Sequence, residues 1–276
     1  MKEDRFEYSG HLVFSIFNLR LKNKDFSDGI SIIFNELPEY EEGNPDNPGE
    51  GYLELEIREF AEKEEKLPHW MLDEIDNWIN IQYKWESYEV QEAFIEGDQF
   101  EVKIPSTNSV DIFFHPSGYA LFRGTQSAIH RATSRIEQAA AGEMMLDKVN
   151  LNIPKLIKNI NSESDREHKL TFEGATNASF RALDAYTDQI SLSGSDVLSD
   201  SIVGEAQNKG QIIQLNGIFN FDEYSVTSGV EQDKIYLKSS RDLRDLPSAS
   251  RIVLSILFTF EVLEIQSDSS GGKNND

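Results

Sequence analysis

The stretch from Gly10 to Leu21 carries apolar side chains on both faces of an alternating pattern. On one face lie Val13, Phe17 and Leu19, and on the other lie Leu12, Phe14 and Ile16. Successive side chains of a β-strand point to opposite faces of its sheet. A strand that is apolar on both faces must be covered on both, so this segment predicts an interior strand with a sheet around it.

The other predicted elements mix strands and helices in an irregular order. The spacing of apolar residues predicts a helix capped by Asp25, a half-exposed strand over residues 52–60 and a helix from Pro68 to Trp85. A further helix is predicted over residues 178–190. Because no regular strand–helix–strand rhythm is present, we expect an α+β fold with mixed, mainly antiparallel sheets and packed helices.

Two later regions share one order of elements, and we interpret them as two strand–strand–helix units. In the first, a hairpin over residues 110–122 precedes a helix opened by Thr125 or Ser127, with Ile129 and Ile136 on its apolar face. In the second, strands over residues 211–221 and 233–238 precede an apolar run that fits either a helix or a strand. No residue-level similarity links the two regions.

The acidic character of the chain changes near Pro105, which predicts a boundary there. We expect an acidic N-terminal α+β region over residues 1–105 and a C-terminal α+β region over residues 106–266. The last ten residues, 267–276, are polar and lack apolar anchors, so they are predicted to be a disordered tail.

Most of the negative charge lies between Glu36 and Glu101. This acidic block contains 21 Asp and Glu against four Lys and Arg, a local net charge of −17 out of −23 for the whole chain. A field of that sign repels nucleic-acid phosphate and attracts basic proteins and cations. Solvated acidic surface without a specific partner is the plainer interpretation, and the local concentration of charge argues against uniform salt adaptation.

Composition also bears on compartment. The chain has no cysteine, which excludes disulfides and thiolate metal sites. No apolar run reaches the ~20 residues of a membrane-spanning helix, and the polar start of the chain lacks the apolar region of a signal peptide. These features favour a cytoplasmic protein that does not enter a membrane. A homo-oligomer is also compatible with the sequence.

The leading functional hypothesis is a non-enzymatic regulatory protein that binds a basic protein surface, as a DNA mimic does. No nucleophile elbow and no glycine-rich nucleotide loop occurs in the sequence, and the five histidines have no ligand spacing. We therefore predict no metal and no cofactor, and we expect the acidic region not to bind nucleic acid directly. The predicted partner-binding residues are Glu54, Glu56, Asp73 and Asp76.

The alternative is a Mg²⁺-dependent nuclease that uses Asp98, Glu101 and Lys103. Carboxylates hold the metal in such enzymes, and a nearby lysine orients or activates the attacking water. On a strand, Glu101 and Lys103 share one face. The excess of negative charge around these residues opposes the approach of DNA.

A weaker signal is a set of residues that opens the helix after the first hairpin. Arg123 and Thr125 lie at its start, and Arg131 and Arg135 follow on its polar face. Free backbone amides at a helix N-terminus can bind an anion together with such arginines. The competing interpretation is a capped helix whose arginines pair with the acidic block.

Overall fold

The computed structural model describes residues 11–22, 25–54, 79–95, 98–160, 170–181, 188–199, 210–221 and 224–238. These residues form eleven strands and three α-helices, and every pair of neighbouring strands within each of the two units described below is antiparallel. The predicted α+β fold is therefore wrong, because strands outweigh helices throughout the described part of the chain. Of the two predicted strand–strand–helix units, the hairpin and helix of the first are present, but the second differs because a further strand, Tyr224–Glu231, lies between its two predicted strands.

The elements have the following bounds. The strands are β1 His11–Leu21, β2 Glu50–Glu54, β3 Ile79–Ile95, β4 Asp98–His115, β5 Tyr119–Arg123, β6 Met144–Lys148, β7 Leu170–Arg181, β8 Gln189–Ser193, β9 Gln211–Phe221, β10 Tyr224–Glu231 and β11 Lys234–Lys238. The helices are α1 Phe26–Glu36, α2 Gln126–Ala139 and α3 Ile153–Ile160, and a short 3-10 turn covers Val197–Ser199.

The chain divides into two compact units. Unit 1 contains the described residues up to Lys148 together with β11, and its strands follow the order β2-β3-β4-β5-β1-β11, with β6 also paired to β1. Unit 2 contains the described residues of Val149–Asp233, and its strands follow the order β10-β9-β7-β8. In unit 2, β7 pairs with β9 through several register shifts, the signature of β-bulges.

The interior strand predicted at the start of the chain is confirmed. β1 pairs with β5 and β6 along its second half and with β11 along its first half. Except for Val13, which is 38% exposed, the apolar side chains named above are buried on both faces, with Phe14 and Ile16 fully inaccessible and Leu19 nearly so. The two-faced apolar pattern therefore predicted an interior strand correctly, since both faces are covered along most of its length.

Helices α1 and α2 cover one face of the sheet in unit 1. Asp25 caps α1 by accepting a hydrogen bond from the Asp28 amide, and Thr125 caps α2 by accepting one from the Ala128 amide. Their apolar stripes meet the inner side chains of β1, β3, β4 and β5 in one cluster. Within it, Ile129 and Ile136 are buried as predicted.

Two predicted helices form strands wherever the structure describes their residues. Tyr83 and Trp85, read as helical, lie in β3, where Ile81, Tyr83 and Trp85 alternate with polar residues and are buried. Residues 178–181 belong to β7, and β8 begins at Gln189. Apolar residues spaced by three or four occur by chance in short windows, and cross-strand pairing decided the conformation in both places.

The boundary predicted near Pro105 falls inside β4, which runs without interruption from Asp98 to His115. The apolar run over residues 251–265 and the tail over residues 267–276 lie outside the described residues. Among the described helices, none is both long enough and apolar enough to cross a membrane.

Candidate acidic interaction surface

A two-stranded arm extends from the sheet of unit 1. β3 and β4 are paired over their whole length, whereas β2 pairs with β3 only as far as Trp85 and β5 pairs with β4 only from Asp111 onwards. We call residues 86–95 and 98–107 the β3–β4 arm. The described part of the arm contains five acidic residues and a single basic one, Lys103.

A proline- and glycine-rich loop lies against one face of the arm at its base. This acidic loop, residues 38–49, contains four acidic and no basic residues. Its backbone joins the edge of the sheet, where the Tyr40 amide donates to the Tyr52 carbonyl and the Tyr52 amide donates to the Pro38 carbonyl. Several long-range contacts hold this loop in place.

The carboxylate of Glu86 is the centre of those contacts. It accepts hydrogen bonds from the hydroxyls of Tyr40 (2.9 Å) and Tyr88 (3.0 Å) and from the backbone amides of Gly49 (3.0 Å) and Gly43 (3.2 Å). The Glu86 amide also donates to the Gly49 carbonyl at 2.8 Å. Only 9% of Glu86 is exposed, so one carboxylate ties both limbs of the acidic loop to the arm.

This arrangement changes the acidity of the group. The Gly49 amide, followed by the hydroxyls of Tyr40 and Tyr88 and the Gly43 amide, outweighs the effect of desolvation and lowers the pKa of Glu86 to about 2. Hydrogen bonds donated to a carboxylate favour its ionised form. Glu86 is therefore a negative charge used inside the fold, and it is not available to a partner.

The other acidic side chains of the loop face solvent. Glu39, Glu41, Glu42 and Asp46 are all exposed. Two lysines of the strands lie nearby: Lys84 places its Nζ 4.5 Å from the centre of the Tyr40 ring, and Lys103 places its Nζ 3.6 Å from Asp46. The surface therefore carries an excess of acidic groups on a backbone that is held in place.

A second carboxylate, Glu50, engages the arginines of α2. Arg135 donates to it at 3.0 Å and Arg131 at 3.3 Å, and the hydroxyl of Tyr83 donates to the same carboxylate. Partial burial raises the pKa of Glu50, but these donors and charges outweigh it and leave the pKa below its usual value. Arg131 also lies over the ring of Trp85, 4.9 Å from its centre.

The four residues predicted to bind an anion thus have partners within the fold. Arg131 and Arg135 pair with Glu50, and Arg123 pairs with Asp111 at 2.9 Å. Thr125 uses its hydroxyl as the cap of α2. The structure brings Arg131 and Arg135 together, and it directs both towards a carboxylate of the acidic block.

The three residues of the nuclease hypothesis lie in the outer half of the arm. Glu101 and Lys103 share one face of β4 and are exposed, and Glu101 is directly opposite Glu92 of β3. Asp98 begins β4, and its side chain lies outside the described part. Among the described residues, no group of three His, Cys, Asp or Glu side chains is arranged to hold a metal ion.

The structure describes only one of the four predicted partner-binding residues. Glu54 ends β2 and is exposed. Glu56, Asp73 and Asp76 lie outside the described residues, so their place relative to the acidic loop is not defined.

What the sequence did not reveal is the role of Glu86. Its one local signal is the sequence Glu86-Ser87-Tyr88, because residues two apart on a strand share a face.

Comparison with known proteins adds no relative. No protein-family model matches the chain, and no curated protein is significantly similar to it.

Proposed function

We propose that this protein is a non-enzymatic interaction protein whose acidic surface binds a basic surface of a partner protein, in the manner of a DNA mimic. The surface consists of the exposed acidic residues of the acidic loop, Glu39, Glu41, Glu42 and Asp46, with Glu54 at the end of β2 as a further member. It uses neither metal nor cofactor. The absence of cysteine fits a cytoplasmic setting.

The observation that supports this proposal most is the attachment of the acidic loop by Glu86. A loop rich in proline and glycine would ordinarily lose conformational entropy when a partner ordered it. Here four donors converge on one carboxylate, and the four exposed acidic side chains are already presented on a fixed backbone. Such preorganisation lowers the cost of binding.

The internal pairing of nearby cations supports it as well. Arg131 and Arg135 are engaged with Glu50, which the acidic block itself supplies, and so they do not neutralise the acidic loop. The remaining negative field favours basic partners, speeds their encounter and discourages nucleic acid.

The test is a pull-down from native lysate at low and at high salt, with bound proteins and nucleic acids identified. Three proteins are compared: wild type, the loop variant E39Q/E41Q/E42Q, and a charge-matched control, D28N/E173Q/D188N. The control residues are exposed acidic groups outside the acidic block. Because the screening length falls to about 3 Å at 1 M salt, specific charge attraction should be lost there.

We expect a basic protein that wild type and control retain at low salt and that the loop variant releases. The partner should also leave wild type at high salt. Equal retention by all three proteins at both salt concentrations would contradict the proposal, and recovery of nucleic acid as the principal ligand would contradict it too.

A further inference from the structure

The β3–β4 arm carries an apolar stripe on the face opposite the acidic loop. Phe100, Val102 and Ile104 are 47%, 41% and 41% exposed. They alternate along β4 with charged and polar residues, so all three lie on one face. At ~3.4 Å per residue the stripe is about 14 Å long, or two to three turns of a helix.

The stripe continues the face that forms the core of unit 1. The register of β3 and β4 is unbroken from Ile79 opposite Phe114 to Ile95 opposite Asp98. Val110 and Ile112 therefore share a face with the stripe, and both are buried under α1 and α2. The same apolar face that is covered at the base of the sheet is exposed further out on the arm.

The neighbours of the stripe are few and mostly small or polar. Across the ladder, Ile104 is opposite Glu89, Val102 is opposite Gln91, and Phe100 is opposite Ala93. A two-stranded hairpin is marginally stable by itself in water, and an exposed apolar row on a strand invites association. Contiguous exposed apolar surface of this kind is typical of a binding site.

We infer that this stripe is the apolar anchor for a basic amphipathic segment of the partner protein. The inference rests on the proposed function, and the charge of the arm selects the occupant. The described arm has five acidic residues against Lys103 alone, and Glu89 lies on the stripe face itself. A segment with apolar side chains towards the stripe and Lys or Arg beside them complements both features.

A second copy of this chain fits the stripe less well. Two arms packed through their stripes would bring two net-negative surfaces together, and like charges across an interface are unfavourable. The arm has one basic residue, Lys103, and it lies on the face opposite the stripe, with its Nζ 3.6 Å from Asp46. In two arms packed stripe to stripe, it would therefore not pair with Glu89 of the other copy.

The probes are two synthetic peptides of equal length and equal positive charge. One is an amphipathic helix of Leu and Lys, and in the other every Leu is replaced by Ala, which keeps charge and helix propensity but removes apolar bulk. Their affinities are measured by fluorescence anisotropy. The stripe variant is F100S/V102T/I104T, and V90T is its control, because Val90 is 58% exposed on the opposite face of the arm.

We expect wild type and V90T to prefer the Leu peptide over the Ala peptide by about tenfold or more, as apolar anchors do in interfaces. The stripe variant should lose that preference while keeping its affinity for the Ala peptide. The single variant V102T, which is less disruptive, should reduce the preference in the same direction. Circular dichroism confirms that each variant is folded.

The outcomes separate this inference from the proposed function. A stripe variant that keeps the preference overturns the inference, as does a wild type without preference. A wild type that sediments as a dimer and a stripe variant that sediments as a monomer would assign the stripe to a second copy instead. If the loop variant E39Q/E41Q/E42Q binds both peptides as tightly as wild type, the proposed function fails, whatever the stripe does.

Discussion

The hydroxyl of Tyr40 donates a hydrogen bond of 2.9 Å to the carboxylate of Glu86, a residue 46 positions further along the chain. This contact, with those of Gly43 and Gly49, closes the acidic loop onto the β3–β4 arm. It separates two kinds of acidic residue in one block: Glu86 holds the surface in shape, and its exposed neighbours supply the charge.

The stability of the protein should depend on pH through Glu86. Its pKa is about 2 in the folded protein, against 4.5 as the ordinary value. The unfolded state therefore binds the proton first as pH falls. The contribution of Glu86 is fully present above about pH 4.5 and is lost as the pH falls through about 2.

The measurement is urea unfolding of wild type and E86Q from pH 7 down to about pH 3. Wild type should lose more free energy of unfolding than E86Q over the acidic part of that range. The control is E89Q, an exposed glutamate of the same strand that is outside the Glu86 contacts, and its curve should parallel wild type. Parallel curves for wild type and E86Q would contradict the prediction.

Gly43 and Gly49 should not tolerate a side chain. A Cβ at Gly43 would lie 2.2 Å from the Gly49 nitrogen, and a Cβ at Gly49 would lie 2.2 Å from the Glu41 carbonyl oxygen. The obstacle is backbone in both cases, so G43A or G49A should destabilise the protein by roughly 0.5–3 kcal/mol. Hydrogen exchange at residues 40–52 should accelerate. G174A, where a Cβ meets its neighbours at 3.4 Å or more, is the control.

Ile136 should be essential to the core beneath α2. It is fully buried in the cluster that joins the helices to the sheet of unit 1. I136A should lower the free energy of unfolding by ~2–5 kcal/mol, through lost burial and the cavity left behind. S134A, on the exposed side of the same helix, should stay within roughly 0.5 kcal/mol of wild type. Equal denaturation midpoints for the two variants would refute the assigned packing of α2.

The ion pair of Glu50 with Arg135 should contribute modestly. Both side chains are partly exposed, at 31% and 43%, so solvent screens their attraction. A double-mutant cycle of E50Q and R135Q should give a coupling free energy of roughly 0.2–1 kcal/mol, and the value should shrink at high salt. A coupling that high salt leaves unchanged would mean that the hydrogen bond, and not the charge, carries the interaction.

Part of the fold was predictable because its signal is local. Three features each depend on neighbours within a few residues: the two-faced apolar pattern of β1, the start of α2 at Thr125 or Ser127, and the apolar positions Ile129 and Ile136. The acidic block is a property of composition alone, and its exposed members follow from the cost of burying charge.

The arm and the Glu86 contacts were not predictable in this way. Residues 105–109 are a proline followed by four small polar residues, and they are part of a strand because β3 pairs with them residue for residue. Glu86 has one donor nearby in sequence, Tyr88, and its other three donors lie 37 to 46 positions away. Hydrogen-bond partners so distant along the chain are chosen by the tertiary structure, which decides which acidic residues hold the fold and which face a partner.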